Sequence, residues 1–275
     1  MNNPLPAVEV GPQPLTEAAQ ERTAVADDGM HLRYTVEGGA DGDTATLIAQ
    51  GFYGIQSAYA GFRSALATPE TAAVTVREQR THSLADALFH VAEDLSERDG
   101  ITNFRIVGHS LGGPAAAKAG ELIIGRRPDL NIESLTIMAS ACITSAYNIK
   151  ALTRLSTELL VSQLTANQRL SPTALREIVS YTLRPQIAVE LFSVGHCNLL
   201  QMLDRLRRGH DVPTAAISFV ADGLFPPKEA ARKIGRAVNL FTVMKTPRQA
   251  GHLAPNVFPV ETAHTYEETR LALAA

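Results

Sequence analysis

Phe104-Arg105-Ile106-Val107-Gly108-His109-Ser110-Leu111-Gly112-Gly113 joins an apolar, strand-like run to a G-x-S-x-G pattern. The helix-favouring segment Pro114-Ala115-Ala116-Ala117-Lys118-Ala119 follows at once. A strand that becomes a helix within so few residues forces the residue at the turn into a cramped backbone conformation, which lifts the Ser110 hydroxyl above the sheet edge. A Cβ at position 108 or 112 would collide where strand and helix approach, so each glycine is read as present for the side chain it lacks. Ser110 is therefore a candidate nucleophile set on a strand-turn-helix unit.

The rest of the chain extends that unit in both directions. Thr23–Ala26 and His31–Val36 alternate apolar with polar residues around Asp27-Asp28-Gly29, a turn signal, and read as an antiparallel hairpin. Thr44–Ala49 and Ala72–Val76 are short buried strands, the first expected to be central, and Leu84–Leu95 repeats apolar residues at helical spacing. After the Ser110 unit come the strand Ser134–Ala139, the strand Ala215–Val220, a helix near 228–236, the strand Leu240–Met244 and a last helix from about Glu261 to Leu273. Strands alternating with helices predict an α/β fold with a mostly parallel sheet.

Between these parts the rhythm changes. Leu152, Leu155, Leu159, Leu160 and Leu164 recur at helical spacing, as do Leu199, Leu200, Leu203 and Leu206, and Pro172 and Pro185 divide the stretch into about three helices. This is more helix than one crossover needs. The expected organisation is a leader over 1–21, a core over 22–140 and 211–275, and an inserted helical lid over 141–210. The leucine stripes suit packing on the sheet as well as lining a substrate pocket, and both readings stand.

The 275 residues, 45% of them hydrophobic, suffice for one large α/β domain with an insertion. The net charge is −3 and basic residues cluster only in pairs such as Arg126-Arg127 and Arg207-Arg208, so no nucleic-acid partner is expected. Two cysteines, Cys142 and Cys197, without C-x-x-C spacing indicate neither a disulfide framework nor a zinc site. The first residues lack a basic region followed by an apolar run, and no apolar run is long enough for a membrane span. A cytoplasmic location is the resulting expectation.

Gly108-His109-Ser110-Leu111-Gly112-Gly113 resembles the lipase and esterase form of the α/β-hydrolase signature. A serine hydroxyl is a weak nucleophile at neutral pH and needs a base, oriented in turn by a carboxylate. The resemblance implies the chain order Ser, acid, His, with acid and base each leaving the C-terminal end of a later strand. Asp222, directly after Ile217–Ala221, is the implied acid, with Asp204 and Asp211 as weaker candidates. His252, in Gly251-His252-Leu253-Ala254-Pro255, is the implied base, with His264 as its competitor. His109 is common beside such a serine and need not be catalytic. The oxyanion donors implied are the Leu111 N–H and, from Gln50-Gly51-Phe52-Tyr53-Gly54, the Phe52 N–H. Gln50 stands where that loop commonly has His. Arg77 and Arg80, after a strand on the same sheet edge, suit either an anionic substrate or a solvated loop.

The expected function is a cofactor-independent serine hydrolase that cleaves a small, largely apolar carboxylic ester through an acyl-serine. A serine at position 110 speaks against relatives whose nucleophile is aspartate. Thioesters, amides and C–C bonds share this chemistry. The alternative from another class is a ligand-binding protein that keeps the fold without turnover, told apart by labelling with a fluorophosphonate.

Overall fold

The computed structural model of the chain describes residues 18–51, 56–77, 83–140, 198–223, 225–245 and 251–275. Its strands are β1 (Gln20–Val25), β2 (His31–Glu37), β3 (Thr44–Ala49), β4 (Thr71–Val76), β5 (Asn103–His109), β6 (Asn131–Met138), β7 (Thr214–Phe219) and β8 (Leu240–Met244). They form one sheet in the order β1-β2-β4-β3-β5-β6-β7-β8. β1 and β2 pair antiparallel, as do β2 and β4, and every pairing from β4 through β8 is parallel. The hairpin expected from Asp27-Asp28-Gly29 is present: Gly29 has φ +79°, and the Ala26 N–H donates to the Met30 carbonyl at 2.9 Å. β1 begins at Gln20, two residues before the expected start of the core.

Helices cover both faces, which is why the central strands are buried at every position rather than at alternate ones. All six residues of β3 and of β7 are buried. On β3, Leu47 packs into a core with α2 (Leu84–Asp99) and α3 (Gly112–Arg126), while its neighbour Ile48 points the other way, towards α1 (Ala60–Leu66) and α6 (Pro259–Ala274). α2 is bounded by local chemistry. Ser83 caps its start by accepting from the Asp86 N–H at 3.2 Å, and Gly100, at φ +71°, ends it in the left-handed conformation that a Cβ disfavours.

Two helices differ from the expectations. α1, between β3 and β4, is absent from the sequence reading; it is short, contains Gly61 and has no side-chain cap. α4 (Leu199–Gly209) falls within the expected insertion, yet Leu199, Met202, Leu203 and Leu206 are buried in the core with α3. For that leucine stripe, packing within the core is therefore the outcome, because an apolar face four residues wide finds its cover on α3. The remainder of the expected lid, 141–197, lies outside the described residues, as does most of the leader. α5 (Pro227–Ile234) follows β7, and Ala230 and Ile234 join the same core as α4. No helix among the described residues is long and apolar enough to cross a membrane.

Candidate active site

The site is built where β5, β7 and β8 end. Ser110 follows β5 directly, with φ +55°, a conformation costly for any residue with a Cβ. Three hydrogen bonds hold it there. Its N–H donates to the Met138 carbonyl at 3.0 Å, and its own carbonyl accepts from the Ser140 hydroxyl at 2.9 Å and from the Gly113 N–H at 3.2 Å. The close approach anticipated from the sequence is real: a Cβ at Gly112 would lie 2.1 Å from the Ala49 carbonyl oxygen, and one at Gly108 would lie 2.7 Å from the Ala116 Cβ.

Asp222 sits three residues beyond the last residue of β7, held by its N–H to the Phe219 carbonyl at 2.9 Å. One carboxylate oxygen accepts from the Phe225 N–H at 2.9 Å. The other lies 3.0 Å from His252 Nδ1. His252 stands in a single turn (Gly251–Leu253) beyond β8, and Gly251, at φ +41°, gives the entry to that turn. Its Nε2 lies 2.8 Å from Ser110 Oγ. A carboxylate can only accept, so Nδ1 carries the imidazole proton and Nε2 is left to accept the serine hydroxyl proton. All three residues are at most 5% exposed, and the Phe225 ring lies against the imidazole with centroids 5.1 Å apart. The arrangement can remove a proton from Ser110 and hold the resulting imidazolium beside a buried carboxylate.

The structure thus brings together Ser110, Asp222 and His252, and does not bring in their competitors. Asp204 pairs with Arg207 and Arg208 on α4, Asp211 is exposed, and His264 is exposed on α6 beside Glu268. Leu111 is the N-cap residue of α3, whose start has no side-chain cap. Amide groups at a helix start have no partner within the helix, and Leu111 stands at such a start. Phe52 lies outside the described residues; the residue before it, Gly51, is placed beside the serine, where a Cβ on Gly51 would be 3.0 Å from Ser110 Cβ. Gln50 is 1% exposed, and neither atom of its amide has a hydrogen-bond partner among the described residues. Arg77 is exposed after β4, and Arg80 lies outside the described residues.

Two buried residues that the sequence reading did not assign a role surround this group. Tyr59 Oη accepts from the Gly51 N–H at 2.9 Å and lies 2.5 Å from His109 Nδ1. His109 Nε2 lies 2.9 Å from the His252 carbonyl oxygen. Burial, reinforced by the neighbouring His252, pushes the His109 imidazole down to about 3, outweighing the opposing pull of the His252 carbonyl and the Asp222 charge. Burial likewise pushes the Tyr59 phenol up. Both are neutral at neutral pH. Among the described residues one group could approach a metal ion, Asp27, His90 and Glu93, but Arg126 lies 3.5 Å from Asp27 and Arg127 lies 4.0 Å from Glu93, so cations already occupy the surroundings.

No family model matches the chain, and no curated protein matches it. Solved structures do. A bromoperoxidase from Bacillus anthracis is 14% identical, with 92% of this chain and 100% of that chain covered and a TM-score of 0.64. A lipase-esterase related protein from Clostridium acetobutylicum is 13% identical, with 86% and 99% covered and a TM-score of 0.62. An alpha/beta hydrolase enzyme from a lagoon-sediment metagenome is 19% identical, with 86% and 93% covered and a TM-score of 0.53. Together with the mostly parallel eight-stranded sheet and its flanking helices, these likenesses show that the chain has the α/β-hydrolase fold.

Proposed function

We propose that the chain is a serine hydrolase acting on carboxylic esters, with Ser110 as nucleophile, His252 as base and acid, and Asp222 as the group that orients His252. The observation that carries the reading is the placement of the two His252 ring nitrogens, 2.8 Å from Ser110 Oγ and 3.0 Å from Asp222 Oδ2. A protein that only bound a ligand on this fold would have no need for that geometry. The hydrolases among its structural neighbours support the same class of chemistry.

In the acylation step His252 Nε2 takes the Ser110 hydroxyl proton as Oγ bonds to the ester carbonyl carbon. The carbonyl oxygen becomes an oxyanion, for which the Leu111 and Phe52 N–H groups are the assigned donors. His252 then returns the proton to the leaving alkoxide oxygen as the C–O bond breaks, leaving an acyl-Ser110. Water repeats the sequence with His252 as base, releasing the acid and restoring the hydroxyl. No cofactor is called on. We assign the choice among acyl groups to residues 141–197, because that segment follows Ser140 in the chain and the Ser140 hydroxyl bonds the Ser110 carbonyl.

The test is turnover of a series of neutral chromogenic esters by the protein and by its Ser110→Ala variant. The expected loss is at least about a thousandfold in kcat, since removing a nucleophile leaves only the oxyanion donors and binding. Undiminished turnover by the folded variant would contradict the mechanism.

A further inference from the structure

The ester mechanism leaves unused two neutral, buried side chains that join its two halves. Their hydrogen-bond directions follow from elementary chemistry. The His252 carbonyl can only accept, so His109 Nε2 carries a proton and donates to it across 2.9 Å. A neutral imidazole with Nε2 protonated has an accepting Nδ1, so the Tyr59 hydroxyl donates to it across 2.5 Å. Tyr59 Oη is then free to accept from the Gly51 N–H at 2.9 Å. Every group in this chain has one role consistent with all the others. It begins at the residue before Phe52, on the loop assigned to the oxyanion, and ends on the backbone of the base.

We propose that Tyr59 and His109 are positioning residues that fix the oxyanion loop and the His252 turn relative to each other through the path Gly51 N–H, Tyr59 Oη–H, His109 Nδ1, His109 Nε2–H, His252 carbonyl. Neither touches the reacting atoms. The inference rests on the serine-hydrolase reading and adds to it a physical connection between Gly51, the residue before the assigned donor, and the base. Three further observations support it. A Cβ at Gly51 would lie 3.1 Å from His109 Nδ1 and 3.0 Å from Tyr59 Oη, so Gly51 is the residue that lets the loop reach this pair. The His109 ring lies against the His252 ring, centroids 4.9 Å apart, which restricts the imidazole of the base directly. Burial keeps His109 neutral, so the direction of the bonds does not reverse near neutral pH.

The consequence is kinetic. Both the oxyanion donors and His252 act on charge that exists only in the transition state, so a loosened connection lowers kcat and leaves KM for a neutral ester in place. Removing one partner leaves buried polar groups unpaired, and the expected loss in Tyr59→Phe or His109→Leu is about ten- to a hundredfold in kcat, with KM within about twofold. Because both substitutions break one chain, the double variant should be little worse than the poorer single one. The His109→Gln variant tests the chemistry itself, since an amide can donate to the His252 carbonyl and accept from Tyr59. It should recover most of what His109→Leu loses.

These variants are measured beside the protein and its Ser110→Ala variant, by ester turnover, by the rate of fluorophosphonate labelling and by thermal unfolding. Coupled losses in kcat and labelling rate, with rescue by His109→Gln, support the proposal. It is overturned if kcat stays within about twofold while turnover remains dependent on Ser110, if the loss falls on KM, or if the double variant is additive. Turnover by Ser110→Ala equal to that of the protein overturns the mechanism and this proposal together, so the two failures are distinct. A measurement on the unsubstituted protein guards against variants that do not fold. Nitrogen NMR of labelled histidine should show His109 as the neutral Nε2–H form across about pH 5 to 8, and an imidazolium or an Nδ1–H form there overturns the assignment.

Discussion

Ser110 keeps its left-handed backbone because neighbours on three sides hold it, and the same logic extends to the partners it needs. Asp222 contributes two acceptors, one spent on the Phe225 N–H and one on His252 Nδ1. Asp222→Asn keeps the shape but offers the amide in place of one acceptor, which favours the wrong imidazole tautomer. The expected outcome is a fall of about 10⁴ in kcat with little change in the thermal midpoint, checked by steady-state kinetics and calorimetry on one preparation. His109 gives a second prediction. Its imidazole titrates at the ordinary 6.5 when unfolded but is held down to about 3 when folded, by burial first and then by the neighbouring His252, against the opposing pull of the His252 carbonyl and the Asp222 charge. Between those values the unfolded chain binds a proton that the folded chain does not. Stability from this residue is therefore complete above about pH 6.5 and is lost as pH falls towards 3. Urea unfolding at several pH values should show His109→Gln losing less stability than the unsubstituted protein over that window, by an amount on the order of a few kcal/mol. Equal slopes in the two proteins would contradict it.

At the scale of elements, the strands were the most legible part of the sequence. Thr44–Ala49 and Thr214–Phe219 mix apolar residues with small hydroxyl residues and are buried at every position because helices cover both sides of them, and a run so short, bounded by turn residues, fits a strand buried on both faces. Ser110, Asp222 and His252 were legible for a related reason, since each follows a strand that could be read. Tyr59 was not. It precedes a short helix with no cap, and its partner His109 is 50 residues away, so no local pattern marks the bond between them. The Leu199–Leu206 stripe shows another limit: periodicity reveals that a helix has an apolar face but not what covers it. Here α3 covers it. Leu203→Ala should accordingly lower stability by about 2–5 kcal/mol, read by denaturant unfolding, while kcat of the folded protein stays near its original value. A variant with full stability and an altered ester preference would instead place that face at the substrate.

For the whole molecule, the order of strands decides where chemistry can occur. Six parallel strands run from β4 to β8, and their C-terminal ends share one edge of the sheet. Residues far apart in the sequence meet there: Ser110 and His252 are separated by 142 positions yet lie within hydrogen-bond distance. Helices on both faces bury the sheet, and the loops at this edge are left to carry the polar groups. The proposed chemistry requires that this edge hold an activated serine. That requirement is checked by treating the folded protein with a fluorophosphonate, digesting it and locating the adduct by mass spectrometry. One adduct is expected, on the peptide containing Ser110, and none in the Ser110→Ala variant. An unlabelled protein, or an adduct that persists in Ser110→Ala, would contradict it.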